Sequence, residues 1–594
     1  MKQLLSGNEA VALGAYHAGV RVAAAYPGTP STEILEHYAR YPGVYAEWSP
    51  NEKVALDVAI GAAYVGVSAL CAMKHVGLNV AADPLFYASM TGVPGALVIV
   101  TADDPGMHSS QNEQDNRHYA RFAKLPMLEP SDSQEAYDFV RQAVHLSHQF
   151  ETPVLLRLTT RVCHSYTVVN VPTGETALPP APPTEPPHWT RDIPRYVMVP
   201  GNARRRHPLI EQRIQDLAAW AEIAGVNRVE PGNPAVGIIT GGIAYQYAKE
   251  VLPEASYLKL GLSYPVPRRQ IREFAASVDQ VVVIEDLDPF WEEQVRLLGV
   301  NCRGKLDEGL FPLWGEFNPD VVRAGLAKAG LIPAPAPLPN VMAQLPPLPP
   351  RPPVLCPGCP HRGVFHVLKK LKLVVFGDIG CYTLGVTPPL STIDTCGCMG
   401  AGIGQLHGAD KAGLADRAVA VIGDSTFFHT GLPALLNTAY NRGACLVIIM
   451  DNRITAMTGH QDHPGTGRTL QGAETTAIDP ADMARSMGIQ HVTVVNPHDI
   501  KATEAAIRAG LEASEPAVVI TQAPCALRIP PQPALTINPE RCNGCGLCLR
   551  IGCPALYRVS PDEVRINHLL CTGCTVCQQV CARQAITQLQ EAGG

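Results

Sequence analysis

AVAVIGDSTFFHTGLPALLNTAYNRGACLVIIMDN, residues 418–452, holds two short apolar runs that flank a segment of mixed composition. Each run has the length of a buried strand and is far too short to cross a membrane. The first run ends at Gly423, Asp424 and Ser425, and the second ends at Asn452. Because ligands of an open parallel sheet gather beyond the carboxyl ends of its strands, we expect both polar ends to face one crevice. Their oxygens suit a Mg²⁺ ion that clamps a diphosphate, although an aspartate in a turn after a strand is usually structural.

The same alternation of strands and helices continues on both sides of this stretch and predicts a multi-domain α/β protein with parallel sheets. Strands such as LVVFGD and AVVITQ extend the central domain over residues 354–530. ALVIVT and PVLLRLTT predict a first α/β domain over residues 1–170, and AVGIIT and QVVVIED predict a smaller one over residues 234–330. The proline-rich stretches LPPAPPTEPPHW and PAPAPLPNVMAQLPPLPPRPP predict linkers within residues 171–233 and 331–353. The first linker segment also contains an amphipathic helix, and the sequence suggests no role for it.

Length and charge exclude several kinds of protein for this chain. The chain has 594 residues, of which 46% are hydrophobic, and this is enough for several hydrophobic cores. Its formal net charge of -7 at pH 7 and its charged fraction of 17% give no basic surface for a nucleic-acid partner. The N-terminus lacks the pattern of a signal peptide, and no apolar run reaches the ~20 residues of a membrane span. We therefore expect a soluble, cytoplasmic protein that contacts neither nucleic acid nor membrane.

Eight of the 18 cysteines lie in the C-terminal segment, residues 531–594, in two CxxCxxC runs that are each followed by a fourth cysteine. Such pairs can bind structural zinc, but zinc does not need the third cysteine of each run. The pattern resembles that of bacterial two-cluster ferredoxins and implies an α+β module with two [4Fe-4S] clusters. An extra residue before Cys553, and Ala582 where proline is usual after Cys581, depart from it. The resemblance implies one ligand set for each cluster: Cys542, Cys545, Cys548 and Cys581, and Cys571, Cys574, Cys577 and Cys553.

Four further segments surround the strand ends of the central domain. They are CPGCPHR at 356–362, GDIGCYTLG at 377–385, TCGCMGAGIGQ at 395–405 and DNRITAMTGHQ at 451–461. Together they resemble the diphosphate-binding domain of 2-oxoacid:ferredoxin oxidoreductases, which use thiamine diphosphate and Mg²⁺. The resemblance implies that Gly423, Asp424 and Ser425 contact this cofactor, with Ser425 where a second glycine is more usual. It also implies three Mg²⁺ ligands: the side chains of Asp424 and Asn452 and the carbonyl of Ile454.

The first domain contains segments that resemble the pyrimidine-binding half of the same family. AAYPGTPSTE resembles an element in which a threonine, here Thr29, faces the substrate. NEKVALDVAIGAAYVG at 51–66 resembles the helix whose glutamate, here Glu52, activates the cofactor. Without the resemblance, a helical glutamate is ordinarily part of a solvated face.

Two positions bear on the choice of substrate. In DDPGMHSSQNEQDNRHYAR, the resemblance implies that Arg117 contacts the substrate carboxylate, with His108 and Gln111 as weaker candidates. The alternative for Arg117 is an ordinary surface arginine beside an acidic loop. Met457 stands where members specific for pyruvate place a polar asparagine, and a thioether adapts to aromatic faces. We therefore expect aryl pyruvates to be preferred, although members that act on 2-oxoglutarate also carry a methionine there.

A third [4Fe-4S] cluster, close to the thiamine ring, is implied by four cysteines that match the ligand positions of the pyruvate enzymes. These are Cys356, Cys359, Cys381 and Cys525. Electrons that leave the cofactor one at a time need such an acceptor before they reach the tail. The alternative is that these are ordinary buried thiols. The match favours this set over Cys396 and Cys398.

The order of the domains resembles that of the large, alpha subunits of indolepyruvate-type members of the family. It implies oxidative decarboxylation of an aryl 2-oxoacid to an acyl-CoA and CO₂, with coenzyme A as co-substrate and ferredoxin as the external acceptor. It also implies a small beta subunit and an (alpha-beta)₂ assembly, since the two halves of a thiamine site usually meet across a subunit interface. Two alternatives remain: a member for another 2-oxoacid, such as a branched-chain one or pyruvate, and a non-catalytic electron-transfer subunit. The sequence does not reveal the coenzyme A site.

Overall fold

The computed structural model describes residues 1–172, 187, 189–306, 308–334, 346, 348–349, 351–415 and 417–589. The chain divides into two compact units, Met1–Gln344 and Leu345–Gly594. Most of the two proline-rich stretches, residues 178–189 and 333–353, lies outside the described residues. Among the helices that are described, none combines the length and the apolar character needed to traverse a bilayer.

The N-terminal unit contains a seven-stranded sheet and a four-stranded sheet. The described strands of this unit are β1 (Lys2–Ser6), β2 (Val22–Ala25), β3 (Tyr45–Trp48), β4 (Ala69–Lys74), β5 (Leu97–Asp103), β6 (Met127–Leu128), β7 (Val154–Thr159), β8 (Tyr166–Asn170), β9 (Arg228–Glu230), β10 (Asn233–Gly241), β11 (Ala255–Leu260), β12 (Leu262–Tyr264) and β13 (Val281–Ile284). The larger sheet has the order β12-β6-β7-β5-β4-β2-β3, and the smaller one has the order β13-β10-β11-β9. Strand β5 is buried along its whole length, as is typical of a parallel sheet that is covered on both faces.

Helices cover both sheets. The described ones are α1 (Gly7–His17), α2 (Thr32–Tyr38), α3 (Glu52–Tyr64), α4 (His75–Val80), α5 (Ala82–Thr91), α6 (Arg117–Ala123), α7 (Ser133–Phe150), α8 (Thr160–His164), α9 (Ile193–Tyr196), α10 (Pro200–Ala221), α11 (Gly242–Val251), α12 (Arg268–Ala276), α13 (Phe290–Leu297) and α14 (Pro319–Lys328). Strand β12 lies in the stretch predicted as the second α/β domain, yet it pairs antiparallel with β6 of the first sheet. The two domains predicted over 1–170 and 234–330 are therefore joined by a shared sheet.

The amphipathic helix for which the sequence suggested no role is α10, and it packs beside the end of α5. Arg206 Nε donates to the carbonyl of Met90 at 3.0 Å, and Arg213 Nη2 donates to that of Ser89 at 2.9 Å. These carbonyls belong to the last turn of α5, where backbone carbonyls lack helical partners and cations are favoured. Helix α10 therefore caps α5 and belongs structurally to the first domain.

The C-terminal unit is built on a six-stranded, wholly parallel sheet of the order β15-β14-β16-β17-β19-β18. Its described strands are β14 (Val374–Gly377), β15 (Thr395–Cys396), β16 (Ala418–Gly423), β17 (Leu446–Asp451), β18 (His491–Val495) and β19 (Ala517–Gln522). Its described helices are α15 (His361–Leu371), α16 (Ala401–Lys411), α17 (Asp424–Thr426), α18 (Leu432–Tyr440), α19 (Pro480–Ser486) and α20 (Ile500–Glu512), with a 3-10 helix at Cys381–Val386 and a π-helical turn at Phe427–Gly431.

The cysteine-rich tail forms two antiparallel ribbons, one of β20 and β23 and one of β21 and β22. Its elements are β20 (Leu535–Ile537), the 3-10 helix Leu547–Ile551, β21 (Leu556–Ser560), β22 (Glu563–Ile566), α21 (Val576–Gln579) and β23 (Ile586–Gln588). Leu535, Ile551 and Val564 of the tail are buried in one hydrophobic core with Val364 and Val375 of the parallel domain. The tail is therefore packed onto the sheet domain, and the predicted α/β class is confirmed.

Candidate functional site

Strands β16 and β17 are parallel neighbours, and their carboxyl ends carry two predicted site residues. Asp424 begins α17 directly after β16, and Asn452 follows β17. Both side chains are buried, with 3% and 7% of their residue surfaces exposed. Ile454 N donates to Asn452 Oδ1 at 3.2 Å, so the loop after β17 folds back on itself. The two polar residues thus lie at the same edge of the sheet.

The carboxyl of Asp451 and the ring of His463 contact Asp424, and sequence analysis singled out neither residue. Nε2 of His463 lies 3.1 Å from Asp424 Oδ2. Burial, together with the charge of Asp424, raises the pKa of Asp451 to about 6. Two buried carboxyls this close repel each other when both are ionised, and a divalent cation relieves that repulsion. Asp451 also pairs with Arg453 at 3.2 Å, so Asp424, the Asn452 amide and the carbonyl of Ile454 remain the candidate oxygen donors for Mg²⁺.

Tyr382 fills the space beneath this edge of the sheet and was also missed, although GDIGCYTLG contains it. A Cβ at Gly423 would lie 2.8 Å from its ring, and one at Gly380 would collide with the same ring. The tyrosine hydroxyl donates to Asp378, and Asp378 Oδ2 accepts from Gly400 N at 2.9 Å. Burial raises the pKa of Asp378 to about 7. The buried tyrosine–aspartate pair therefore holds three glycine backbones together, and such backbones can approach a diphosphate closely.

Two other predicted residues lie on α17 and on the loop after β17. Ser425 Oγ accepts a hydrogen bond from Thr455 Oγ1 at 2.9 Å, which links α17 to this loop. Met457 lies further along the loop and is 48% exposed, so its thioether is accessible to a ligand. The same loop borders a cleft that is lined by Asn452, Ile454 and Cys525.

The four cysteines predicted to hold a third cluster lie close enough to perturb one another. Burial raises the pKa of Cys359 to about 12, and the neighbouring thiols of Cys381 and Cys356 add to this rise. Burial raises the pKa of Cys381 to about 11, with further contributions from Cys525 and Cys356. Cys396 instead lies 3.7 Å from the carbonyl of Asp378. Cys356 thus lies near enough to act electrostatically on each of the other three thiols.

The tail contains two cysteine-lined cavities. Four of the residues that line the first one are Cys542, Cys545, Cys548 and Cys581. Cys553, Cys571, Cys574 and Cys577 line the second one, together with Cys359 and Arg362 of the parallel domain. Backbone N–H groups donate to sulfur in both, from Leu535 to Cys571 and from Ala585 to Cys581, each at 3.3 Å. Thiolates that receive such bonds are typical of iron–sulfur ligands, so both sets fit a cluster. We call the second cavity the inner cage, because it adjoins Cys359, and the first the outer cage.

Glu52 is the first residue of α3 and is 5% exposed. The preceding Asn51 caps the helix, since its side chain accepts from Val54 N at 3.0 Å. A Cβ at Gly77 would lie 2.7 Å from Glu52 Oε1, so only glycine leaves room for the carboxyl. The predicted activating glutamate is therefore a buried carboxyl with a close-fitting environment rather than part of a solvated face.

Thr29 and Lys74 lie at the carboxyl ends of β2 and β4, which are parallel neighbours. Gly28, just before Thr29, lies against the backbone and Cβ of Lys74. Lys74 Nζ donates to the carbonyl of Ser109 at 2.7 Å, and burial lowers its pKa to about 8. No carboxylate of the described residues lies within 4.0 Å of this ammonium group. Sequence analysis did not single out Lys74, although it ends a strand next to the Thr29 element.

Arg117 lies in a buried cluster of carboxylates and aromatic rings. The residue is 1% exposed, and its guanidinium donates to the carboxylates of Asp115 and Glu285. The rings of Phe290 and Trp291 lie 5.3 and 4.8 Å from its central carbon. Two carboxylates thus neutralise a cation that aromatic rings cover, and the contact of Arg117 with a substrate carboxylate stays a prediction.

The two weaker candidates, His108 and Gln111, are exposed on the loop that precedes α6. His108 Nε2 lies 3.1 Å from Glu316 Oε2, so this histidine links the loop to a segment of the smaller α/β domain. Among the described contacts, neither His108 nor Gln111 shares a hydrogen-bond partner with Arg117.

Three family models match the chain in the order of its domains. Residues 13–221 match the thiamine-diphosphate-binding model of pyruvate flavodoxin/ferredoxin oxidoreductases. Residues 378–521 match the C-terminal TPP-binding domain of thiamine pyrophosphate enzymes, and residues 534–582 match a 4Fe-4S dicluster domain. The chain therefore carries thiamine-diphosphate-binding domains and an iron–sulfur module.

Curated relatives match almost the whole length. The indolepyruvate oxidoreductase subunit IorA of Archaeoglobus fulgidus is 40% identical to this chain. The alignment covers 98% of this chain and 97% of that subunit. The IorA subunit of Methanothermobacter thermautotrophicus is 41% identical, with the same coverage of both chains. A solved 2-oxoglutarate:ferredoxin oxidoreductase from Magnetococcus marinus aligns at 18% identity and a TM-score of 0.45, over 56% of this chain and 65% of that one.

Proposed function

Because the chain belongs to the IorA family of indolepyruvate oxidoreductase subunits, among the 2-oxoacid:ferredoxin oxidoreductases, we propose that it oxidises aryl 2-oxoacids, with indolepyruvate preferred. In this reaction the 2-oxoacid loses CO₂, coenzyme A receives the acyl group, and two electrons pass to ferredoxin. The observation that carries the proposal is the position of the cysteines. Cys525 N donates to the carbonyl of Asn452 at 2.9 Å, and Cys525 lines a cleft with Asn452 and Ile454. Cys359 lines the inner cage of the tail. Candidate iron ligands therefore extend from the diphosphate end to the tail.

The residues of the C-terminal unit have a binding role in this proposal. Thiamine diphosphate supplies the carbanion chemistry of such a reaction, and iron–sulfur clusters supply one-electron steps. Asp424 and Asn452 would hold Mg²⁺ through their side chains, and Ile454 would do so through its carbonyl. The glycine backbones around Tyr382 would accept the diphosphate. Four cysteines in each of three sets would hold a [4Fe-4S] cluster.

In the N-terminal unit, Glu52 has the role of the activating carboxyl. A buried carboxyl that hydrogen-bonds a ring nitrogen of the cofactor can hold and return a proton at that atom. Lys74 is a second candidate, beside Arg117, for the contact with the substrate carboxylate. The half-buried ammonium group forms no ion pair within 4.0 Å among the described residues, although the charge of Asp104 acts on it, and its place beside Thr29 suits the carboxylate of a 2-oxoacid.

The preference for aryl substrates rests on Met457 and on the family. An exposed thioether on the loop after β17 can contact an aromatic face, and it offers no hydrogen-bond donor to a small oxoacid. A member that prefers pyruvate or a branched-chain 2-oxoacid is the alternative, and a comparison of kcat/KM for the three substrates distinguishes them. A higher kcat/KM for pyruvate than for indolepyruvate would contradict our proposal.

The proposal includes partners. The matched relatives are named as subunits. We propose a small beta subunit as the partner, an (alpha-beta)₂ assembly, and an external ferredoxin as the electron acceptor. The coenzyme A site is assigned to no residue of this chain.

The test is an anaerobic assay of the chain produced together with its partner subunit. We expect reduction of ferredoxin or of a viologen dye that requires indolepyruvate, coenzyme A and thiamine diphosphate together. Asp424→Ala should lose bound thiamine diphosphate and all activity, because the diphosphate and Mg²⁺ lose a charged ligand. Asp499→Ala, which removes a helix-capping aspartate of the same unit, is the matched control and should keep both. Full cofactor occupancy and activity in Asp424→Ala would refute the Mg²⁺ assignment.

A further inference from the structure

Arg362 is the second residue of α15, in CPGCPHR, and only 3% of it is exposed. Complete burial is rare for arginine, because the charge is costly to remove from water. No carboxylate of the described residues forms an ion pair with it, in contrast to the buried Arg117. Something other than a carboxylate must therefore compensate this charge.

The guanidinium of Arg362 binds two loops at once. On one side Nε donates to the carbonyl of Cys356 at 3.0 Å, and Nη2 donates to that of Leu355. On the other side Nη1 donates to the carbonyl of Ile551 at 3.2 Å and also to that of Gly552. The first loop carries Cys356 of the candidate proximal set, and the second leads directly into Cys553 of the inner cage. One side chain thus joins the backbones that present ligands of two different cysteine sets.

The cation also faces the thiols themselves. Arg362 lines the inner cage together with Cys359, Cys553 and Cys574. Gly552 leaves room for this approach, because a Cβ there would lie 2.9 Å from Cδ of Pro389 and 3.3 Å from Nη1 of Arg362. Its φ of +71° also favours glycine. A cage of thiolates with a bound cluster is anionic, and this is the missing counter-charge for the buried arginine.

We propose that Arg362 is a positioning residue for electron transfer, which holds the inner cage against the CxxC loop and raises the reduction potential of the cluster in that cage. The physical reason is the change in charge. With clusters held in both cysteine sets, each transfer would take one electron from the proximal cluster and add it to the inner one, with no bond made or broken and no proton moved. A fixed positive charge beside the inner cage stabilises its more negative, reduced form, and so favours the forward direction. The inference rests on the proposed function, because it needs clusters in both cysteine sets.

The experiment uses the full complex, purified anaerobically, with Arg362→Gln, Arg362→Lys and a control variant. Arg558→Gln is the matched control, since Arg558 donates to backbone carbonyls of Gly544 and Pro561 beside the outer cage. Iron and sulfide are measured first, and each cluster is then titrated with dithionite and followed by electron paramagnetic resonance. These readouts do not depend on turnover.

In Arg362→Gln we expect the equilibrium constant for reduction of the inner cluster to fall about tenfold, which is ~59 mV for one electron. Arg362→Lys should keep this potential near the wild-type value, because it retains the charge. Arg558→Gln should leave the inner cluster unchanged. An unaltered inner potential in an Arg362→Gln protein with full iron content would overturn the inference.

If Arg362→Gln loses iron, the potential of the inner cluster in Arg362→Lys decides whether the inference holds. A lysine variant with full iron and the wild-type potential supports the electrostatic role, and one whose potential falls although the charge is retained contradicts it. A wild-type protein without iron would refute the proposed function itself. A wild-type protein with clusters that do not respond to these substitutions would refute only the role of Arg362.

Discussion

Glu52 owes its burial to the helix that it begins and to the glycine that faces it, and this gives a test with a defined outcome. Glu52→Gln keeps the shape of the side chain but cannot ionise. We expect it to retain thiamine diphosphate and to lower kcat by roughly a hundredfold or more, since proton transfer by a positioned side chain contributes on this order. Bound cofactor and steady-state rates measure the two effects separately.

The matched control for Glu52 is Asp57→Asn, on the exposed face of the same helix, where the carboxylate pairs with Lys53 at 2.7 Å. This variant should keep the wild-type rate. Wild-type turnover in Glu52→Gln would move the activating role to another residue.

Lys74 gives a second prediction, which concerns binding of the 2-oxoacid. Lys74→Met should raise KM for indolepyruvate about tenfold or more, as expected for loss of a charge-assisted hydrogen bond, with a smaller change in kcat. Lys74→Arg should restore most of the affinity. Because burial lowers the pKa of Lys74 to about 8, the ammonium group is charged below that pH and neutral above it. KM of the wild type should therefore rise as the pH passes above 8, whereas KM of Lys74→Arg should not.

Lys53→Met, at an exposed lysine of α3, controls for the loss of a positive charge from the same domain. A KM for Lys74→Met that equals the wild-type value would remove Lys74 from the substrate site.

Arg117 and Lys74 also show where sequence reasoning ends. Residue spacing placed Asp424 and Asn452 at adjacent strand ends, because both follow apolar runs. It could not reveal that Glu285, far along the chain, neutralises Arg117.

Helix α6 is tied to the smaller α/β domain through its first residue, so the third prediction concerns stability. Arg117→Met would leave the buried carboxylate of Glu285 without its ion pair and that of Asp115 with only Arg157, 3.9 Å away. Breaking a buried ion pair in this way costs about 3–5 kcal/mol. We expect a clearly lower thermal unfolding midpoint and faster proteolysis of the N-terminal unit, both measured on the purified chain.

Arg121→Met is the control for Arg117→Met. Arg121 lies on the same helix, but its side chain is half exposed and its ion pair with Glu293 is long, at 3.9 Å. Its effect should stay within about 0.5 kcal/mol. Equal stability of the two variants would mean that the buried cluster does not hold α6 in place.

The strands around the site could be predicted because they are continuous apolar runs: AVAVIG and CLVIIM are β16 and β17. Strand β12 could not, since three residues carry no periodic pattern and its partner β6 lies in the other predicted domain. Helix α10 was predicted as a helix, but its function as a cap of α5 depends on arginines whose partners are backbone carbonyls. Backbone acceptors leave no signal in a sequence.

For the whole molecule, the number of clusters is the quantity that separates the proposed function from a simple ferredoxin fusion. Three [4Fe-4S] clusters require about twelve irons per chain. Cys525→Ser should lower this value towards eight and leave the two clusters of the tail intact, as seen in their paramagnetic resonance signals. A wild-type value of eight that does not change in Cys525→Ser would refute the third cluster.

The most direct measurement is whether substrate alone delivers electrons to the iron. The complex of the chain and its partner subunit, loaded with thiamine diphosphate and oxidised, is mixed anaerobically with indolepyruvate and coenzyme A, without dye or ferredoxin. We predict the appearance of reduced [4Fe-4S] signals in electron paramagnetic resonance, and their absence in Asp424→Ala. Clusters that dithionite reduces but indolepyruvate and other 2-oxoacids leave oxidised would contradict the assignment of this chain as a catalytic 2-oxoacid oxidoreductase.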